Sequence, residues 1–140
     1  MKIAFATNDT EHINAHFGSA KQIVVYEANA AGYKYFETLT FDGNLKEDGN
    51  EDKLLPKLTA LADCTIVYLA AIGGSAAARL ISRRVTPIKA NSEEDKIVDV
   101  LDHFVQTLKG NPPPWLRKIL QQEARQFDEE FSEIEEEVVV

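Results

Sequence analysis

Cysteine is nearly absent from this chain: Cys64 is the single one in 140 residues. That excludes an intrachain disulfide and any all-cysteine metal site built by one chain, and it suits a reducing cytoplasm. Long apolar runs are missing too. Nothing approaches the ~20 residues that cross a bilayer, and the opening MKIAFATND lacks the apolar stretch of a secretory leader. Neither G-x-G-x-x-G nor G-x-x-x-x-G-K-[ST] occurs, so specific nucleotide binding has no motif behind it. The net charge is −8, and residues 123–140 hold eight acidic side chains against one Arg. The remainder is nearly neutral and has no basic stripe, so nucleic-acid binding is not expected. Carboxylates are scarce where a two-metal nuclease needs them: the first apolar run meets no acid before Asp9, and the run 64–74 has none. The stretch GGSAA does not supply the G-x-S-x-G of a nucleophile elbow. Catalysis is not expected from this chain.

What is present is the ordinary material of one soluble domain, 44% hydrophobic and 27% charged. Residues 2–7 read as a strand buried on both faces, and 21–28 with 33–41 as a β-hairpin around NAAG. A polar, glycine-punctuated loop follows at 42–52. Leu54, Leu55, Leu58, Leu61 and Ala62 repeat at helical spacing, with Pro56 in the first turn. CTIVYLAAIGG (64–74) reads as another buried strand, SAAARLISRR (75–84) as a helix capped by Ser75, and VTPIKA as an edge strand. Ser92 and Asp95 suggest a capping box opening a helix with core face Ile97, Val98, Leu101, Phe104, Val105 and Leu108, ended near Gly110. Beyond the rigid NPPP, a helical stripe runs through Trp115, Leu116, Ile119, Leu120, Phe127, Phe131 and Ile134. This divides the chain into an α/β part, 1–110, and a C-terminal amphipathic, acidic helix, 111–140. The order β-β-β-α-β-α-β-α implies a mixed five-stranded sheet between helices, a three-layer ribonuclease-H-like arrangement. A flavodoxin-like parallel sheet is the alternative, but 21–41 lacks the crossover helix it requires.

If the first and fourth strands are parallel, their C-terminal ends bring NDTEHINAHFGSA (8–20) beside IGGSAAAR (72–79). Ligands of open α/β sheets bind at such edges. The first loop offers His12 and His16. The second offers Gly73 and Gly74 for close backbone approach, free N–H groups around Ser75 at a helix start, and Arg79 one turn on. Bland readings stand beside these. Gly73–Gly74 makes at least a tight turn, His12 suits an exposed position, and His103 with Asp99 suits a solvated helix pair. Cys64 sits at the start of its strand, ~20 Å from the crevice, and reads as a buried structural thiol. The acidic end reads either as solvated surface or as a docking arm, with core packing to about residue 122.

The stretches KIAFATND…HFGSA…IVVYE, DCTIVYLAAIGGSAAARL and TLKGNPPPWLRKIL together resemble the dinitrogenase iron–molybdenum cofactor biosynthesis family, nitrogenase accessory proteins of the NifX type. The resemblance covers about residues 1 to 120. It implies a ribonuclease-H-like fold without nuclease function and a cytoplasmic, non-enzymatic carrier. The cargo would be an iron–sulfur precursor of the iron–molybdenum cofactor, or the finished cofactor, and the partners cofactor assembly proteins, a cluster synthase and a scaffold. It carries a cluster-ligating role to His16, with Phe17 and Gly18 shaping the loop. The anionic charge of such a cargo suits Gly73, Gly74, Ser75 and Arg79. The alternative is a regulatory interaction module of the same fold that binds a protein partner and holds no cluster.

Overall fold

The computed structural model describes residues 1–41 and 54–123. The polar loop read at 42–52 and the acidic continuation from 124 lie outside the described residues. Two compact units divide the chain, Met1–Gln106 and Thr107–Val140. In chain order the elements are β1 (Lys2–Thr7), β2 (Gln22–Asn29), β3 (Gly32–Thr40), α1 (Leu55–Ala60), β4 (Ile66–Leu69), α2 (Gly74–Ser82), β5 (Thr86–Lys89) and α3 (Ile97–Lys109).

The five strands form one mixed sheet in the order β3-β2-β1-β4-β5. β1–β2 and β2–β3 are antiparallel, whereas β1–β4 and β4–β5 are parallel. The hairpin rules out a wholly parallel sheet, because a two-residue connection cannot return a chain in the same direction. Its turn is built locally: the Asn29 side chain accepts from the Ala31 amide at 2.8 Å, and Gly32 takes φ +150°, which side chains disfavour. Pro87 falls on β5 at the sheet edge, where its missing N–H costs least.

Period-two alternation gives the sheet two apolar faces. Ala4, Ala6, Ile23, Val25, Val67 and Leu69 pack with Leu58 and Leu61 at α1 and with Ala76 and Leu80 of α2. On the other face Phe5 stacks on Tyr68, ring centroids 5.2 Å apart, and meets Tyr26 edge-on at 6.0 Å. Tyr68 also shares a groove of about 520 Å³ with Asp99, Val100 and His103 of α3. The sheet thus has helices over both faces, as expected.

Three boundaries and one burial differ from the sequence reading. β4 spans four residues rather than eleven, because beyond Leu69 neither neighbouring strand continues the ladder. α2 is capped by Gly73 in extended conformation with no side-chain bond, and Ser75 lies inside the first turn. The Ser92–Asp95 box forms, with Asp95 accepting from the Asn91 and Ser92 amides and Ser92 Oγ from the Glu94 amide. It closes a turn, however, and α3 begins only at Ile97, with Val98 43% exposed. In the second unit, residues 114–123 are helical. Arg117 bridges back to the Pro112 carbonyl and Asn111 side chain, while Trp115 is 43% exposed instead of joining a core stripe.

Candidate functional site

The segment after β1 is held by its own polar side chains first. Thr7 Oγ donates to Asp9 Oδ1 and accepts from the Thr10 amide at 3.0 Å. Asp9 Oδ1 accepts from the His12 and Glu11 amides at 2.8 and 2.9 Å, and Oδ2 meets His12 Nδ1 at 2.6 Å. Those backbone donors, His12 foremost, with the imidazole beside them, hold the Asp9 carboxyl well below the usual carboxylate range. His12, read from the sequence as exposed, is half-buried and committed to Asp9. Thr10 sits at φ +64°, the left-handed region where a threonine is strained.

From His12 to His16 the backbone is extended and bonded on two sides, and it turns at 17–19. The Ile13 amide donates to Asp95 O at 2.9 Å and the Ile97 amide to Glu11 O at 2.9 Å. The Ala70 amide donates to Ala15 O and the Phe17 amide to Ala71 O, both at 2.9 Å, and His16 pairs with Ala71 in a parallel bridge. Alternation follows from extension. Ile13, Ala15 and Phe17 are buried, at 0%, 2% and 0% exposure, whereas His16 and Gly18 point out and are exposed. Phe17 therefore shapes the segment from beneath and His16 presents its ring above.

The same bridge sets His16 beside Ala71, two residues before Gly73, so the two loops expected to share an edge do meet. Gly73, Gly74 and Ser75 are exposed at the start of α2. No other heavy atom would lie within 4 Å of a Cβ added at Gly18, Gly73 or Gly74, and none of the three has positive φ. Neither crowding nor backbone angle thus calls for glycine there. With no side-chain cap at Gly73, the first N–H groups of α2 are left without an intrahelical acceptor. Arg79 is half-buried in the last turn of α2, ~7.5 Å along the helix from Gly74.

Cys64 is 5% exposed, inside the core cluster with Leu58, Leu61 and Val67. Burial, reinforced by Asp63, pushes its thiol up to about 12. It precedes β4, at the end of the strand opposite to the His16–Ala71 bridge. Among the described residues, no group of three or more His, Cys, Asp or Glu side chains converges to hold a metal ion. His103 lines the groove on the second face with Tyr68, Glu94, Asp95 and Asp99, and His16 is not part of it.

One residue at this site escaped the sequence reading. Lys57, on α1, is 4% exposed and donates to the Phe17 and Gly18 carbonyls at 2.9 and 2.8 Å. Burial lowers its pKa from the ordinary lysine value. A signal was present: Lys57 lies three residues after Leu54 and four before Leu61, so it occupies the apolar stripe of its own helix.

Residues 1–107 match the family model described as dinitrogenase iron-molybdenum cofactor. Protein NifX of Herbaspirillum seropedicae is 50% identical over 121 residues, covering 86% of this chain and 82% of that protein. The FeMo cofactor biosynthesis protein NifB of Bradyrhizobium diazoefficiens is 33% identical over 87 residues, 61% of this chain but 17% of that protein. The crystal structure of PH0822 aligns with a TM-score of 0.57 at 22% identity, over 76% of this chain and 89% of that one, a likeness of fold alone.

Proposed function

The chain belongs to the dinitrogenase iron–molybdenum cofactor family, and from that premise we propose that it is a cytoplasmic, non-enzymatic carrier. It binds an iron–sulfur precursor of the iron–molybdenum cofactor, or the cofactor itself, and passes it between a cluster synthase and a scaffold. Its role in iron–molybdenum cofactor biosynthesis follows from the family. The carrier reading rests on one observation: His16 is exposed on a backbone bonded from both sides, beside two exposed glycines for which the fold has no steric or dihedral need.

A neutral imidazole is a good ligand for an iron at a cluster's edge, and protonation or exchange can displace it. Bridging sulfides carry negative charge. The amides of Gly74 and Ser75 are oriented to donate to them, and the missing Cβ atoms allow cargo to approach the backbone closely. Phe17, buried beneath, and Gly18 set the path of the segment. Arg79 adds positive charge further along α2 and acts at longer range than the amides. One imidazole and a few amides leave most of a cluster uncovered, which suits a cargo that must be handed on.

Anaerobic incubation with the precursor, repurification and iron analysis tests this reading. Wild-type protein should retain iron. His16→Ala should fold normally by circular dichroism yet bind at least about tenfold more weakly, and His103→Ala should match wild type. Undiminished affinity in folded His16→Ala would remove the histidine from the site. Failure of wild-type protein to retain any iron would leave the interaction module as the better account.

A further inference from the structure

Lys57 carries a charge into a place where an apolar side chain would cost less. It stands among Leu54, Leu58 and Leu61 on the inner side of α1, 4% exposed, and among the described residues it joins no ion pair. Among the described residues its hydrogen-bond partners are two carbonyls, those of Phe17 and Gly18. The Phe17 and Phe41 rings lie 6.0 and 5.5 Å from the ammonium nitrogen. Burying an ammonium group costs more than burying a leucine of similar size, which would complete the stripe instead. The two carbonyls belong to the residues that directly follow His16, and the Phe17 amide is already bound to Ala71 O. The main chain after the imidazole is thus gripped from β4's side through its N–H and from α1 through its carbonyls. Gly18, with open space around it, would otherwise leave that chain free to swing.

We propose that Lys57 is the positioning residue of the His16 segment: its ammonium group, donating to the Phe17 and Gly18 carbonyls, locks the backbone so that the imidazole projects in a single direction. Lys57 touches no cargo in this arrangement. It acts through residues 17 and 18, and its consequence for binding rests on the carrier reading, whereas its consequence for the backbone does not.

The experiment therefore has a cargo-free arm. Native-state amide exchange is compared in wild type and Lys57→Met, which keeps chain length but donates nothing. The Phe17 amide should exchange at least about tenfold faster relative to the Phe5 amide in the centre of β1, because local opening is added to global unfolding. Lys57→Gln, which retains one donor, should fall between the two. Equal acceleration of Phe17 and Phe5 would mean that Lys57 supports the fold in general and does not position the segment. Failure of both variants to fold would overturn the proposal in the same way. In the cargo arm, anaerobic titration should show weaker cluster binding by Lys57→Met than by wild type. If wild type retains no cluster while the exchange difference persists, the carrier reading fails and the positioning role stands.

Discussion

His16 and Cys64 both carry ligand atoms that transition metals favour, and the fold treats them in opposite ways. Both flank the β1–β4 pair, His16 past its C-terminal end and Cys64 before its N-terminal end. Intrinsically the thiolate is the stronger ligand. Yet Cys64 is buried among leucines and its proton is held to about pH 12, whereas His16 is exposed on a segment bonded from both sides. Access and protonation state outweigh ligand strength here. One end of the sheet presents its ligand group to solvent and the other packs it away.

Thiol chemistry should separate the two ends most sharply. Iodoacetamide reacts with thiolate, and a pKa raised from 9.0 to about 12 lowers the thiolate fraction near neutrality by about a thousandfold. Cys64 should therefore alkylate at least that much more slowly in native protein than in denaturant, as read by mass spectrometry. Native reaction at the denatured rate would show the cysteine end to be open.

A smaller effect is expected in alkali. The folded pKa of Cys64 lies above its unfolded value, so the unfolded state releases its proton first as pH rises. The stabilisation is complete below about 9 and is lost between about 9 and 12, at up to about 1.4 kcal/mol per pH unit. Urea unfolding of wild type and Cys64→Ala across that window isolates the difference, because the tyrosines titrate in both.

Near neutral pH the two ends should dissociate cleanly. Cys64→Ala should cost about 1 kcal/mol of stability, from the small cavity it leaves, and should leave iron retention intact. His16→Ala, at an exposed position, should change stability by less than about 0.5 kcal/mol while losing cargo. Complete loss of iron from folded Cys64→Ala would place the site at the wrong end of the sheet. A small effect of either sign is expected from Arg84→Gly. Arg84 holds the left-handed position of a Schellman cap on α2, with its amide on Ile81 O and the Val85 amide on Leu80 O, both at 3.0 Å. Glycine relieves that strain but loosens the unfolded chain, so the net change should stay within about 1 kcal/mol.

Local chemistry was a good guide wherever it decided the outcome, and it failed in a consistent way elsewhere. The run Ala70–Ile72 is as apolar as the strand before it, so hydropathy extended β4; the ladder ended because its partners did. The Ser92–Asp95 side-chain bonds are real, yet they close a turn, and the backbone entering α3 is tied to Glu11 instead. Residues 12–18 read as a loop because Asn, His and Gly are poor strand formers. Residues 12–16 run extended because β4's continuation and the approach to α3 bond them on either side, and the chain turns at 17–19.

The sequence by itself determined the mixed sheet, through one strand buried on both faces, a hairpin with too short a turn to cross over, and apolar periods that alternate between two and three to four residues. It also determined which groups stand near one edge, since parallel β1 and β4 bring residues 8–20 beside 72–79 wherever the chain folds this way. Tertiary structure alone decided which of those groups are presented. His16 faces out and Phe17 in because the segment is extended, and Lys57 reaches that segment across a sequence separation of 40 residues. Local pattern records propensity and period, whereas a hydrogen bond between distant residues depends on where two elements come to rest. That is why the edge was legible and its lysine clamp was not.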